Sequence, residues 1–184
     1  MNALESVLAA VGEPGRRVWV NLDGEPRARL FRLAVSSCAG ATGWLPEHGG
    51  LLANLRGWEN CVLPHSYYCG RPGEKEETAL DTLLSRLGVP EANRRSLMGA
   101  QIHALTAQQR RQLVVVRTLL SRPALILAEA EWFGHIGPAE SAVLAGLFAE
   151  ECAKAAWLVI GPLAPSAVWG AFEPMEVTHE PAAR

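Results

Sequence analysis

Apolar and polar positions alternate along this chain in two distinct rhythms. RRVWVNL (16–22), ALILAEA (124–130) and WLVIG (157–161) are short runs rich in β-branched and aromatic residues and read as strands. The last two are almost continuously apolar, which predicts burial on both faces. Elsewhere apolar residues recur at helical spacing, predicting helices over 2–11, 28–37, 51–68 (interrupted by Pro64), 78–88, 90–98, 106–121 and 141–155. Leu30, Phe31, Leu33 and Ala34 supply the apolar face of the second of these. Thr106 is placed to cap the long helix that Arg122-Pro123 stops, Gly88 ends one helix, and Pro90 suits the first turn of the next. Residues 40–50 read as turn, 70–77 as a polar loop, and 172–179 as a last, weaker strand. Strands alternating with helices predict a three-layer α/β domain with a parallel sheet.

Composition narrows the function. The 184 residues carry 17 basic and 19 acidic side chains, a net charge of −2, so no broad positive field exists to hold a phosphate backbone, and nucleic acid is not an expected partner. The four cysteines lie in apolar or small-residue surroundings, as reduced thiols do. The N-terminus has neither a basic leader nor a sustained apolar core, so a cytoplasmic location is expected. Residues 155–172 lack charge over nearly the length of a membrane span, but Pro162 and Pro165 favour a strand, a turn and a short helix there.

Residues 105–130, LTAQQRRQLVVVRTLLSRPALILAEA, resemble the signature helix and Walker B strand of ABC-transporter ATPases, whose pattern reads LSGGQQRRVALARALLxRPxLLLLDE. The match is gapless and includes Leu105, Thr106, Gln109, Arg111, Arg117, Leu119, Leu120, Arg122 and Pro123. Residues 49–70, GGLLANLRGWENCVLPHSYYCG, are similar to the family's stretch after the Q-loop, closest in wording to ATPases serving lipid-type, Mla-like permeases. The resemblance implies a P-loop-NTPase-like fold in a single domain over 1–184, with a helical subdomain at 51–105 and a weak strand and polar tail at 171–184. It also implies a permease-contact surface at Leu51, Leu52, Asn54, Leu55, Trp58 and Glu59.

The positions that handle nucleotide in that family depart from its pattern. At 21–28, NLDGEPRA stands for GxxGxGKS: Gly24 survives, Pro26 replaces a glycine, Arg27 the lysine, and Ala28 the hydroxyl that meets magnesium. Glu129 replaces the Walker B aspartate and Ala130 the catalytic glutamate; loss of a positioned general base forfeits roughly 10²–10⁴-fold in rate. Ala107 and Gln108 replace the signature glycines after Thr106, Glu47 the Q-loop glutamine, and Gly161-Pro162 the switch histidine. Arg27 and Glu47 are too close in sequence to hold the family's antiparallel β-arm, which is expected to be reduced or missing.

The resemblance therefore implies a non-catalytic ABC-ATPase-like subunit with no bound cofactor. It would dock on an integral membrane permease, beside an active ATPase or as a homodimer, and sit peripherally at the inner membrane. Two readings compete. One is a divergent active ATPase using ATP with magnesium, with Glu129 on the metal and Arg27 on phosphate. The other is a stand-alone scaffold or regulatory protein.

Plainer chemistry also accounts for several of these residues. A strand-to-helix turn at Asp23-Gly24 needs no phosphate, and acids such as Glu129 and Glu131 at a strand end ordinarily face solvent. Cys61, His65 and Cys69 recur every fourth residue and would share a helix face, but Pro64 and the lack of a fourth ligand favour packing over zinc. His103 and His135 have no evident partner, and the tryptophans read as core, with Trp58 an interface anchor.

Overall fold

A computed structural model describes residues 3–38, 41–68, 70 and 72–177. Strands β1 (Arg17–Val20), β2 (Thr42–Leu45), β3 (Leu125–Glu129), β4 (Ala156–Ile160) and β5 (Glu173–Met175) form one sheet in the order β2-β3-β4-β1-β5, and every pairing is parallel. Because side chains alternate across a strand, each central strand feeds two cores. Val18, Val20, Leu125, Leu127, Leu158 and Ile160 pack with Val7 and Val11 of α1 (Ala3–Val11) and Leu30 and Ala34 of α2 (Gly24–Ser37). Ile126, Ala128, Trp157 and Val159 face the other way, onto α6 (Ala107–Leu120) and α8 (Pro138–Glu151). This burial on both faces is what the unbroken apolar runs of β3 and β4 encode.

The larger core continues into α3 (Gly57–Tyr68), α4 (Glu74–Arg86) and α5 (Glu91–Gly99), which follow β2 in the chain, with α3 and α4 packing against α6 and α5 against α3 and α4, and contribute Cys61, Leu80, Leu83, Leu84 and Leu97. At the opposite end an aromatic cluster fills it: Phe148 meets Trp157 edge-on at 5.1 Å, and Trp169 meets Trp132 at 5.6 Å. Among the described residues no helix is long and apolar enough to cross a membrane; the charge-free stretch is β4, a loop and a 3₁₀ turn at Ala167–Trp169.

Several boundaries differ from expectation for identifiable reasons. Helix α2 begins at Gly24, not at residue 28, because Asp23 takes the extended N-cap conformation and the turn becomes the first helical turn. Helix α4 likewise absorbs the supposed polar loop: Glu74, Glu76 and Glu77 complement the positive helix end, and Gly73 N–H donates to Glu76 Oε2 at 2.8 Å. Within the region read as turn lies β2, where Gly43 lets the strand approach α6; a Cβ there would meet Thr118 Cγ2 at 2.5 Å. Pro64 does not interrupt α3 but lies inside it, and residues 51–56 are turn rather than helix. Helix α7 (Ala130–Gly134) was unforeseen, and α8 starts earlier than expected, with Pro138 in its first turn. Strand β5 covers Glu173–Met175, and residues 178–179 of the expected strand lie outside the described residues. Among the described residues the one antiparallel contact is the isolated bridge between Arg56 and Gln101, so no β-arm is present there.

Candidate functional site

The chain leaves β1 toward one face of the sheet, through α2, and leaves its neighbour β4 toward the other, through the loop that carries Trp169. Adjacent strands whose connections diverge open a crevice at their carboxyl ends, where ligands of open α/β sheets bind. Arg27, Glu129, Ala130, Glu131 and Gly161 come together there.

Arg27, in the first turns of α2, reaches across it. Its Nη1 donates to Glu131 Oε1 at 2.7 Å and its Nη2 to Glu131 Oε2 at 3.0 Å, while Glu129 Oε2 lies 3.5 Å from Nη2. The side chains of Arg27, Glu129 and Glu131 are only 20%, 22% and 26% exposed, so these acids are not the solvated strand-end carboxylates expected. A forked guanidinium matched to both carboxylate oxygens is the strong form of an ion pair. The hydrogen bond from Arg27 holds the Glu131 carboxyl below the ordinary glutamate range, and the same bond raises the Arg27 pKa further. Glu129 also accepts from the backbone N–H of Glu47 at 2.8 Å, tying the loop after β2 to the end of β3. Gly161 closes the far wall: a Cβ there would meet Ala130 Cβ at 2.7 Å and Glu131 Oε2 at 3.1 Å.

These residues do not fit magnesium with a nucleoside triphosphate. Pro26 offers no N–H, Ala28 no hydroxyl and Ala130 no carboxylate, and the Arg27 fork is already engaged by acids that would repel phosphate. Gly24 keeps a positive φ of 59° at the start of α2. Thr106 caps α6 reciprocally with Gln109: Thr106 Oγ1 accepts from Gln109 N at 3.2 Å, and Gln109 Oε1 from Thr106 N at 2.9 Å. That box explains both residues through helix capping alone.

The expected contact segment is a turn leading into α3. Leu51 and Trp58 pack against the larger core, Leu55 is half-buried, and Leu52, Asn54 and Glu59 are exposed, Leu52 to 48%. Sequence reasoning missed the residue that shapes it. Fully buried Asn60 accepts from Leu52 N at 2.8 Å and donates to the carbonyls of Leu52, Leu55 and Arg56 at 3.1–3.2 Å. Its one signal was an amide inside the apolar run WENCVL.

The remaining candidates separate. Cys61 faces the core with its thiol toward Leu113 O, and burial pushes its pKa up to about 12; Cys69 lies outside the described residues. His65 Nε2 is 3.6 Å from Glu76 Oε1. His103 is exposed, whereas His135 does have partners, in Glu47 and His48.

No family model matches the chain, and no curated protein does. Solved structures do. The ATP-binding subunit of an ABC transporter is 16% identical with a TM-score of 0.64 over 82% of this chain and 70% of that one. An inward-facing transporter described as of the metal-chelate ABC type is 14% identical, with a TM-score of 0.57 over 80% and 62%. An ATP-binding cassette in a dimeric post-hydrolysis state with ADP and phosphate is 17% identical, with a TM-score of 0.53 over 76% and 57%. The chain thus spans about three fifths to seven tenths of the structures it matches. At these identities the likeness is one of architecture: this chain has the layered, parallel-sheet α/β fold of ABC-transporter ATP-binding subunits.

Proposed function

We propose that this chain is a non-catalytic counterpart of ABC-transporter ATP-binding subunits, a structural member of a transport complex. The observation that carries the reading is the Arg27–Glu131 pair, reinforced by Glu129, which fills the strand-end crevice with the protein's own charges. A cation satisfied by two internal carboxylates has no reason to exchange them for phosphate, and no group at Ala130 takes a proton from water.

In this reading the partner is an ABC-type permease, of the lipid-type, Mla-like class that the wording of residues 49–70 resembles, met by Leu51, Leu52, Asn54, Leu55, Trp58 and Glu59. Exposed Leu52 and Leu63, and the Asn60 bonds that fix the turn, support a preformed apolar contact there. The helices between residues 51 and 105 act as the docking subdomain, and the chain sits on the cytoplasmic side of the inner membrane through the permease. An active ATPase or a second copy completes the complex.

Calorimetry and phosphate release with ATP and magnesium test the first half. Absence of both is expected; micromolar binding with turnover abolished by Glu129→Gln overturns the reading in favour of an active enzyme. Affinity capture from detergent-solubilised membranes tests the second. Recovery of an ABC permease, lost on Leu52→Arg, is expected; a chain that recovers no membrane subunit is a stand-alone scaffold instead.

A further inference from the structure

The loop after β2 and the end of α7 bring three metal-ligating side chains together outside the Arg27 crevice. One ligand atom each from Glu47, His48 and His135 lies within 4.8 Å of the other two. Glu47 Oε1 is 3.4 Å from His48 Nδ1 and 3.5 Å from His135 Nε2. A tetrahedral ion with bonds of about 2.0–2.1 Å sets its ligands roughly 3.3–3.4 Å apart, so these two edges already match. The third closes by rotation of the imidazoles, both of which are exposed.

We propose that Glu47, His48 and His135 bind a divalent transition-metal ion, with zinc the best fit. Two imidazoles and one carboxylate suit zinc, whereas magnesium and calcium require oxygen shells. The frame behind the ligands is fixed. Glu47 N–H is held by Glu129 at 2.8 Å, the Arg117 guanidinium donates to Gly50 O at the other end of the loop, and His135 N–H caps α7 at Trp132 O, 3.4 Å away. Anchored backbones of this kind hold ligands in place before the ion arrives.

Three protein ligands leave a fourth position open. It faces a cleft of about 300 Å³ walled by Trp132, Arg110 and Arg111. The Glu140 carboxylate, 3.5 Å from Arg111 Nε, offsets the Arg111 charge, and Arg110 Nε donates to Leu105 O at 3.0 Å. Water or a small anion completes the shell from this cleft. The site does not depend on whether nucleotide binds in the crevice.

The test is a cobalt titration of the chelator-stripped full chain, followed by displacement with zinc. One ion per chain is expected, with visible bands of a four-coordinate nitrogen and oxygen site and no thiolate charge-transfer band. His48→Ala, His135→Ala and Glu47→Gln each weaken binding at least about tenfold, while His65→Ala and His103→Ala leave it unchanged. Any of three results overturns the site: no stoichiometric binding, undiminished binding in His48→Ala and His135→Ala, or a thiolate band assigning the ion to cysteine.

Discussion

Arg27 and Glu131, 104 residues apart, meet through two hydrogen bonds of 2.7 and 3.0 Å across the carboxyl end of the sheet. The pair joins the start of α2 to the start of α7 and so locks together the two segments that border the crevice. Removing Arg27 leaves the Glu131 and Glu129 carboxylates without their shared cation, whereas removing Glu131 leaves Arg27 with Glu129 and Asp23 but without its bidentate bond, so the pair acts on stability as well as on ligand access.

Glu131→Gln therefore lowers unfolding stability at neutral pH by about 1–2 kcal/mol, a bidentate charged contact discounted for partial exposure. The pH dependence has a definite sign. The folded pKa of Glu131 is depressed, so its contribution is fully present above the ordinary value of 4.5 and is lost as pH falls through the lower folded value. Denaturant titrations from neutral to acid pH read this directly: wild type and variant converge below that window. A gap that persists or widens there contradicts the assignment.

Asn60→Ala is expected to cost about 1–3 kcal/mol, because it leaves the amide of Leu52 and the carbonyl of Leu55 without the Asn60 side chain, while the carbonyls of Leu52 and Arg56 keep the backbone donors Leu55 N and residue 60 N. Hydrogen exchange localises the effect, with protection falling at residues 51–56 before the sheet. Uniform loss of protection would mean that Asn60 supports the whole core rather than the turn.

Cysteine chemistry follows burial. Burial raises Cys61 and Cys152 to about 12, so both stay protonated and unreactive at pH 8 while the half-buried Cys38 alkylates. Iodoacetamide labelling with peptide mass spectrometry reads the order, and denaturant brings all three to the same rate. Early labelling of Cys61 would show that α3 opens from α6.

Among the aromatic residues, Trp157 and Trp169 respond differently. No described group accepts the buried Trp157 Nε1–H, so Trp157→Phe removes an unsatisfied donor along with some volume and costs less than about 1.5 kcal/mol. Trp169→Ala opens a cavity against Trp132, Phe133 and Phe148 and costs about 3–5 kcal/mol. Thermal or chemical denaturation ranks the two, and equal losses would refute the distinction.

Local pattern fixed what depends on local pattern. The apolar runs of β3 and β4, the Thr106 cap and the Gly88 stop were legible because periodicity and capping act within a few residues. The first turns of α2 and α4 were misread because Gly, Pro and acidic residues serve both turns and helix N-termini, and β2 was hidden because its glycine answers to a helix far along the chain. Likewise the family resemblance grouped Arg27, Glu129 and Glu47 as positions of one nucleotide site without their contacts, and left His135 without a partner. Strand order and crossover direction alone decided that Arg27 reaches Glu131 and that Glu47, 82 residues before Glu129, hands its amide to that carboxylate while its side chain meets His135. Such contacts are set by how the elements stack on the sheet, and no window of the chain contains both halves.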